Sequence, residues 1–240
     1  MLSRVANSIY WMARYIERAE NVARFIAVNL NLSLDMPGQG QQQWLPLVIT
    51  TGDDEQFAKR IKEPSKRNVI HFLTFNRQNP NSILSCLRSA RENARAVRES
   101  ISSEMWEHIN RFYLMVHESG AQAAALEESY DFFDQIRFSG QQFMGVTDAT
   151  MTHGEGWHFC RLGRSIERAD KTSRILDVKY FILLPSPADV GTPYDDIQWS
   201  ALLRSGSALE MYRQRHGRIE PASVVEFLVL DREFPRAVLY

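Results

Sequence analysis

Residues 13–26 read ARYIERAENVARFI and residues 163–176 read GRSIERADKTSRIL. Both contain Arg-x-Ile-Glu-Arg-Ala followed by an acidic residue, and both place an arginine, Arg24 or Arg174, at the same later position. Around the first copy the apolar residues Val5, Ile9, Met12, Ile16, Ala19, Ala23, Ile26 and Leu30 alternate in steps of four and three. A strand repeats every second residue, so this rhythm belongs to a helix with a single apolar seam. Phe159, Leu162, Ile166, Ala169, Ser173, Leu176, Tyr180 and Leu183 keep the rhythm in the second copy and predict a second long helix with a matching buried seam. Ser3 is the expected N-cap of the first helix, and a Thr152-x-x-Glu155 capping box is the expected start of the second. Pro37-Gly38 and Pro185 with Pro187 are the expected stops.

The echo extends beyond these helices. Gln43-Trp44 returns as Gln198-Trp199, VIHFLTFNR at 69–77 returns as VVEFLVLDR at 224–232, and Pro80 returns as Pro235. Three blocks in one order at one displacement point to an internal duplication. The first helical repeat spans 1–150, and the second, 151–240, is packed on it in one compact domain. Between them lies a section with no counterpart: a helix capped by Asn79 with Pro80 at its first position, a second helix from the Ser102-Ser103 pair to Gly120, and an amphipathic stretch over 121–145. The second repeat breaks off at Tyr240, about 65 residues before the first repeat's pattern would close. The surface those residues would cover, near Val225, Phe227 and Leu239, is expected to be sticky, and a homo-oligomer is one way to cover it. The fold class is all-α: a helical bundle built from an internal duplication with pseudo-twofold symmetry, its second repeat incomplete.

Composition narrows the function classes. The 28 basic and 29 acidic residues are interspersed and leave a net charge of −1, which argues against a broad nucleic-acid footprint. No apolar run reaches the ~20 residues that span a bilayer, and Arg14, Glu17, Arg18 and Glu20 interrupt any leader-like segment. Cys86 and Cys160 sit in apolar helical patterns and read as core residues in a reducing compartment, the cytoplasm by default. Glycine-rich phosphate loops, Gly-x-Ser-x-Gly and Cys-x-x-Cys are all missing, and His158 and Cys160 face apart on a helix. One Glu-x-x-His, at Glu155 and His158, falls short of a di-metal carboxylate bundle, and His153, Glu155 and His158 are more readily helix-start residues than metal ligands. No metal and no cofactor is expected. Trp11, Trp44, Trp157 and Trp199 read as core rather than as a stacking platform.

The repeated charges admit three readings. Arg14, Glu17, Arg18, Asn21 and Arg24 lie off the first seam, as do Arg164, Glu167, Arg168, Asp170 and Arg174 in the second copy. They could be a solvated face laced by i,i+4 pairs such as Glu20–Arg24. They could be reciprocal struts between the two helices, Glu17 facing Arg168 and Glu167 facing Arg18. Or they could line a cleft for a carboxylate or phosphate, which arginine forks bind bidentately.

LSRVANSIYWMARYIERAENVARFI, SILSCLRSARENARAVRESIS, GWHFCRLGRSIERADKTSRILDVKYF and VVEFLVLDREFPRAV together resemble the bacterial alpha-E family of helical proteins, named for its Glu-Arg motif. Members are similar in plan and usually longer. The motif residues are then Glu17, Arg18, Glu167 and Arg168, and Arg91, Glu92, Asn93 and Arg95 of ARENAR belong to another characteristic block. Such proteins are typically found beside circularly permuted ATP-grasp ligase-like and transglutaminase-like proteins. The resemblance therefore implies an ATP-grasp-type ligase and a transglutaminase-like protein as partners in making or modifying a peptide or amide-linked compound. A non-catalytic helical partner or scaffold is the expected role; an enzyme with a Glu/Arg-lined anion cleft and a general interaction module are the alternatives.

Overall fold

The computed structural model describes residues 1–35, 44–181 and 191–240, and among them the regular elements are helices without a strand. The expected stops at Pro37-Gly38 and at Pro185 and Pro187, the seam residue Leu183 and Gln43 of the repeated Gln-Trp pair lie outside the described residues. Two compact units divide the chain, Met1–Ala27 with Arg67–Glu167 and Val28–Lys66 with Arg168–Tyr240. α1 (Ser3–Asp35) and α9 (Glu155–Phe181) each contribute to both units.

In the first unit the seam of α1 is buried as its period requires, with Ile9, Met12, Ile16, Ala19, Ala23 and Ile26 in the core. Glu17, Glu20, Asn21 and Arg24 are buried as well, so this part of α1 is enclosed on nearly every side. Around it stand α4 (Lys66–Thr74), α5 (Ile83–Ala96), α6 (Ser103–His117), α7 (Ala121–Glu127) and α8 (Ser129–Thr150). The block VIHFLTFNR falls on the short helix α4 and its end, with Val69, Ile70, Phe72 and Leu73 inside. Two caps differ from expectation. Ser82, not Asn79, caps α5 by accepting from the Ser85 N–H at 3.3 Å, while the Asn79 Oδ1 accepts from the Asn81 N–H at 2.8 Å in a local Asx turn. Asparagine serves both geometries, and the nearer serine takes the cap. The 121–145 stretch is two helices, broken where Glu128 leaves helical backbone angles.

The start of α9 is also different. It begins at Glu155, too late for a capping box on Thr152, and the Glu155 carboxylate instead accepts from the Met1 ammonium group. More consequentially, α9 turns another face inward. Phe159, Leu162 and Ile166 of the expected seam are 37, 47 and 40% exposed. Gly156, Cys160, Gly163 and Glu167 are buried in their place. A Cβ at Gly163 would run into the Tyr10 carbonyl oxygen, and one at Gly156 would come within 2.7 Å of the Met151 side chain and 3.4 Å of Ile9. Small residues admit the closest approach of α1, and close approach outweighs the hydrophobicity of the other stripe. The contacts ascend together, Met1 with Glu155, Tyr10 with Gly163 and Arg18 with Glu167, so the two helices run parallel here.

The second unit holds α2 (Leu45–Thr51), α3 (Asp54–Ala58), α10 (Pro193–Ser205), α11 (Leu209–His216) and α12 (Pro221–Leu230) with the ends of α1 and α9. Pro221 opens α12, the helix of the VVEFLVLDR block. Tyr212 stacks on His216 and meets Phe227 edge-on at 5.7 Å, and Phe227 packs on Phe234 at 4.9 Å. Phe227 is therefore core rather than part of an open patch, whereas Val225 and Leu239 are exposed. The tail after α12 folds back, with the Val238 and Leu239 N–H groups donating to the Leu228 and Val229 carbonyls. Of the tryptophans, Trp44 and Trp199 are buried and Trp11 and Trp157 half-buried.

Candidate functional site

In the first unit the Glu-Arg motif becomes a clamp inside the protein. Arg14 and Arg18 lie one turn apart on α1 and point at one carboxylate, Glu167 of α9. The Arg14 Nε donates at 2.9 Å, and the Arg18 Nε and Nη2 donate to the two oxygens at 2.7 and 2.9 Å. Glu167 is 0% exposed, so both of its oxygens are served without water. Each arginine is fixed from its other side. The Arg18 Nη1 donates to the Asn81 Oδ1 at 2.7 Å, and the Arg14 Nη1 donates to the Tyr10 hydroxyl while its guanidinium lies 4.9 Å over the Trp11 ring. Burial opposes the charge on both guanidiniums, but the hydrogen bonds and charge of Glu167 outweigh it and hold both pKa values above the ordinary arginine value.

The remaining motif residues of α1 are also engaged. Asn21 donates to the Glu17 carbonyl at 2.9 Å and to its Oε1 at 3.2 Å, and Arg24 pairs with Glu20 along the helix. Gly140 of α8 faces this pair: a Cβ there would stand 2.9 Å from the Glu20 Cβ and Cγ. Beside Glu17, Cys160 and Arg164 lies a cavity of about 10 Å³, room for one water and no substrate. Burial pushes the Cys160 thiol up to about 12, far from a nucleophilic thiolate. The solvated-face reading of the Glu-Arg repeat is thus excluded for the first unit, and the strut between Glu167 and Arg18 is present.

In the second unit the matching residues tie backbone and neighbours together. Arg168 donates to the Pro235 carbonyl at 3.4 Å, and Thr172, one turn on, donates to the Arg236 carbonyl at 2.7 Å, so α9 holds the C-terminal tail. Arg174 and Lys171 share Asp170, with contacts of 3.0 and 2.9 Å. Burial raises the Asp170 pKa and these two cations more than reverse it, holding it below the usual carboxylate range. Sequence reasoning missed the most buried cation here. The Lys179 ammonium donates to the Asp195 Oδ1 at 2.7 Å and the Gln198 Oε1 at 2.6 Å and lies 5.1 Å over the Trp199 ring. The Gln198-Trp199 repeat marked half of this cluster, and Lys179 stands one turn after buried Ile175, which marks the other half.

The ARENAR block forms its own surface between α5 and α6. The Arg91 Nε donates to the Asn110 Oδ1 at 2.7 Å, Glu92 lies 3.3 Å from Arg91 and 3.9 Å from Arg95, and Asn93 donates to the Ser89 carbonyl. His153, weighed as a metal ligand, instead stacks on Trp157 at 4.3 Å. Groups of three or more histidine, cysteine or acidic side chains placed to share a metal are absent among the described residues.

These features define an all-helical protein whose acidic-basic motif is built into its interior. The Alpha-E family, described as a predicted alpha-helical domain with a conserved ER motif, matches residues 1–240, and the chain belongs to that family. It is similar to an uncharacterised protein of Mycobacterium bovis and to two of Mycobacterium tuberculosis, at 22% identity over 99% of this chain. The chain spans 28% of the length of these curated relatives. No solved structure matches it.

Proposed function

We propose that the chain is a non-catalytic helical partner or scaffold in a system that makes or modifies peptide or amide bonds, with an ATP-grasp-type ligase and a transglutaminase-like protein as its partners. The observation that carries the non-catalytic part is the closed Glu167 clamp: its carboxylate is 0% exposed and its oxygens accept three hydrogen bonds from Arg14 and Arg18. A general acid must reach a substrate proton and an anion clamp must keep free donors, and the cavity beside Glu17 holds about one water. The named partners rest on the family resemblance. The internal duplication belongs to the same reading, supported by the parallel packing in which Arg18 meets the second copy's motif glutamate. No described helix is long and apolar enough to cross a membrane, which is compatible with a place in the cytoplasm.

The test is co-elution of the purified chain with a purified ATP-grasp-type ligase from the same host, read by mass in solution together with ligase turnover. A stable complex is expected, and the chain alone should turn over neither ATP nor an isopeptide substrate. Turnover by the chain alone, abolished in Glu17→Gln or Glu167→Gln variants that keep their fold, would overturn the reading in favour of an enzyme.

A further inference from the structure

The ARENAR block is a charged motif that the interior clamps do not use. On α5, Arg88, Arg91 and Arg95 follow each other at three and four residues, so they stand in a row on one face, about 10 Å long at 1.5 Å per residue. The helix ends at Ala96, and the turn over Arg98–Ser100 brings Arg98 back towards the row's aromatic neighbours on α6. Its guanidinium lies 4.7 Å over the Trp106 ring, and Arg91 lies 5.7 Å over the same ring and 5.3 Å over Tyr113. Arg88, Arg95 and Arg98 are exposed.

The geometry points to this arginine row as a docking surface for an acidic helix of a partner protein, with carboxylates spaced by three and four residues to match the row. Stacking holds a guanidinium flat and leaves its in-plane N–H donors at the ring edge, where a carboxylate can take two of them. The chain itself supplies a stand-in: Glu92 sits between Arg91 and Arg95 at 3.3 and 3.9 Å. These contacts are long and exposed, and exchanging them for a better-placed carboxylate costs little. A single nucleic-acid strand is the less suitable occupant, because the Trp106 ring on which a base would stack already carries two guanidiniums. Glu92 and Glu99 flank the row and offset two of its four positive charges, which suits spaced carboxylates better than a continuous polyanion.

This inference deepens the partner reading above and rests on it. The probe is a fluorescein-labelled alanine-based helical peptide with glutamates at matching spacing, set against the same composition with scrambled spacing and an oligo-thymidine strand of equal charge. Fluorescence anisotropy should show binding of the matched peptide that weakens roughly tenfold in the Arg88→Gln, Arg95→Gln, Arg98→Gln triple variant and falls with added salt. The three side chains are exposed, and an unchanged thermal melt confirms the variant's fold. No binding to the native chain, equal binding to the triple variant, or equal binding of scrambled peptide or oligo-thymidine would overturn the proposal. Co-elution separates the two readings. A ligase that co-elutes equally with native chain and triple variant sinks this surface and leaves the partner reading intact. A ligase that co-elutes with neither, while the matched peptide still binds the row, sinks the partner reading and supports the surface.

Discussion

Glu167 concentrates the energetics of the first unit in one carboxylate. Replacing it by glutamine leaves Arg14 and Arg18 facing an amide that can accept at only one oxygen, and the change of charge strands two guanidiniums that are mostly out of water. Glu167→Gln is expected to destabilise by about 3 kcal/mol, the low end for a broken buried pair because both arginines keep some solvent contact. For a chain of this size that lowers the melting temperature by about 10 °C. Arg18→Gln added to Glu167→Gln should cost clearly less than the two singles summed, and strict additivity would show that the pair is not coupled. A different residue makes stability depend on pH. The His108 Nε2 donates to the Ser139 carbonyl at 2.7 Å, and burial, with the nearby Arg111 charge, lowers its pKa below the ordinary 6.5. The unfolded chain then binds the proton more readily, so stability is complete above that value and declines as pH falls through it. Urea midpoints at about pH 7.5 and pH 5 should differ more in the native chain than in His108→Gln, which keeps a donor for Ser139 and cannot titrate.

At the scale of elements, two glycines decide how helices meet. Gly163 lets α9 lie against the α1 backbone at Tyr10, and Gly140 lets α8 lie against the buried Glu20–Arg24 pair. Alanine has the better helix propensity, by ~1 kcal/mol, so in isolated helices either change would stabilise. In the fold Gly163→Ala meets a carbonyl oxygen that cannot rotate away, and the expected net effect is a loss of about 1–3 kcal/mol. Gly140→Ala meets the Glu20 Cβ and Cγ, which are anchored to the α1 backbone, but the approach of 2.9 Å is a smaller overlap than the 2.3 Å at Gly163, and the change should cost less. Denaturant titrations of the two variants check the order, and a Gly163→Ala variant as stable as the native chain would mean that the helices stand further apart than described.

Across the whole molecule, both cysteines belong to the first unit and both are buried, Cys86 among the apolar residues of α5 and Cys160 on the inner face of α9. Their thiols therefore report on the integrity of that unit. Neither should react with an aromatic disulfide reagent in native buffer, and both should become reactive in the same urea range in which helical circular dichroism is lost. Fast labelling of one thiol at low urea would locate a local opening beside it, around α5 for Cys86 or around the α1–α9 contact for Cys160.

Periodicity pointed to helices, because steps of three and four bury a stripe on a helix and nowhere else, and α1, α5 and α6 lie where those steps place them. Sequence also offered Glu167 and Arg18 as partners, as one of three readings of charges that recur while their neighbours drift. It could not choose which face of α9 turns inward. Phe159, Leu162 and Ile166 satisfy the apolar period, and Gly156, Cys160 and Gly163 satisfy an equally regular small-residue period one step round the helix. Only the approach of α1 separates them, through the space at Gly163 and the two arginines waiting for Glu167. The Lys179–Asp195–Gln198 cluster was hidden for the same reason: its members are 16 and 19 residues apart, and a buried charge is legible only when its counter-charge is brought beside it in space.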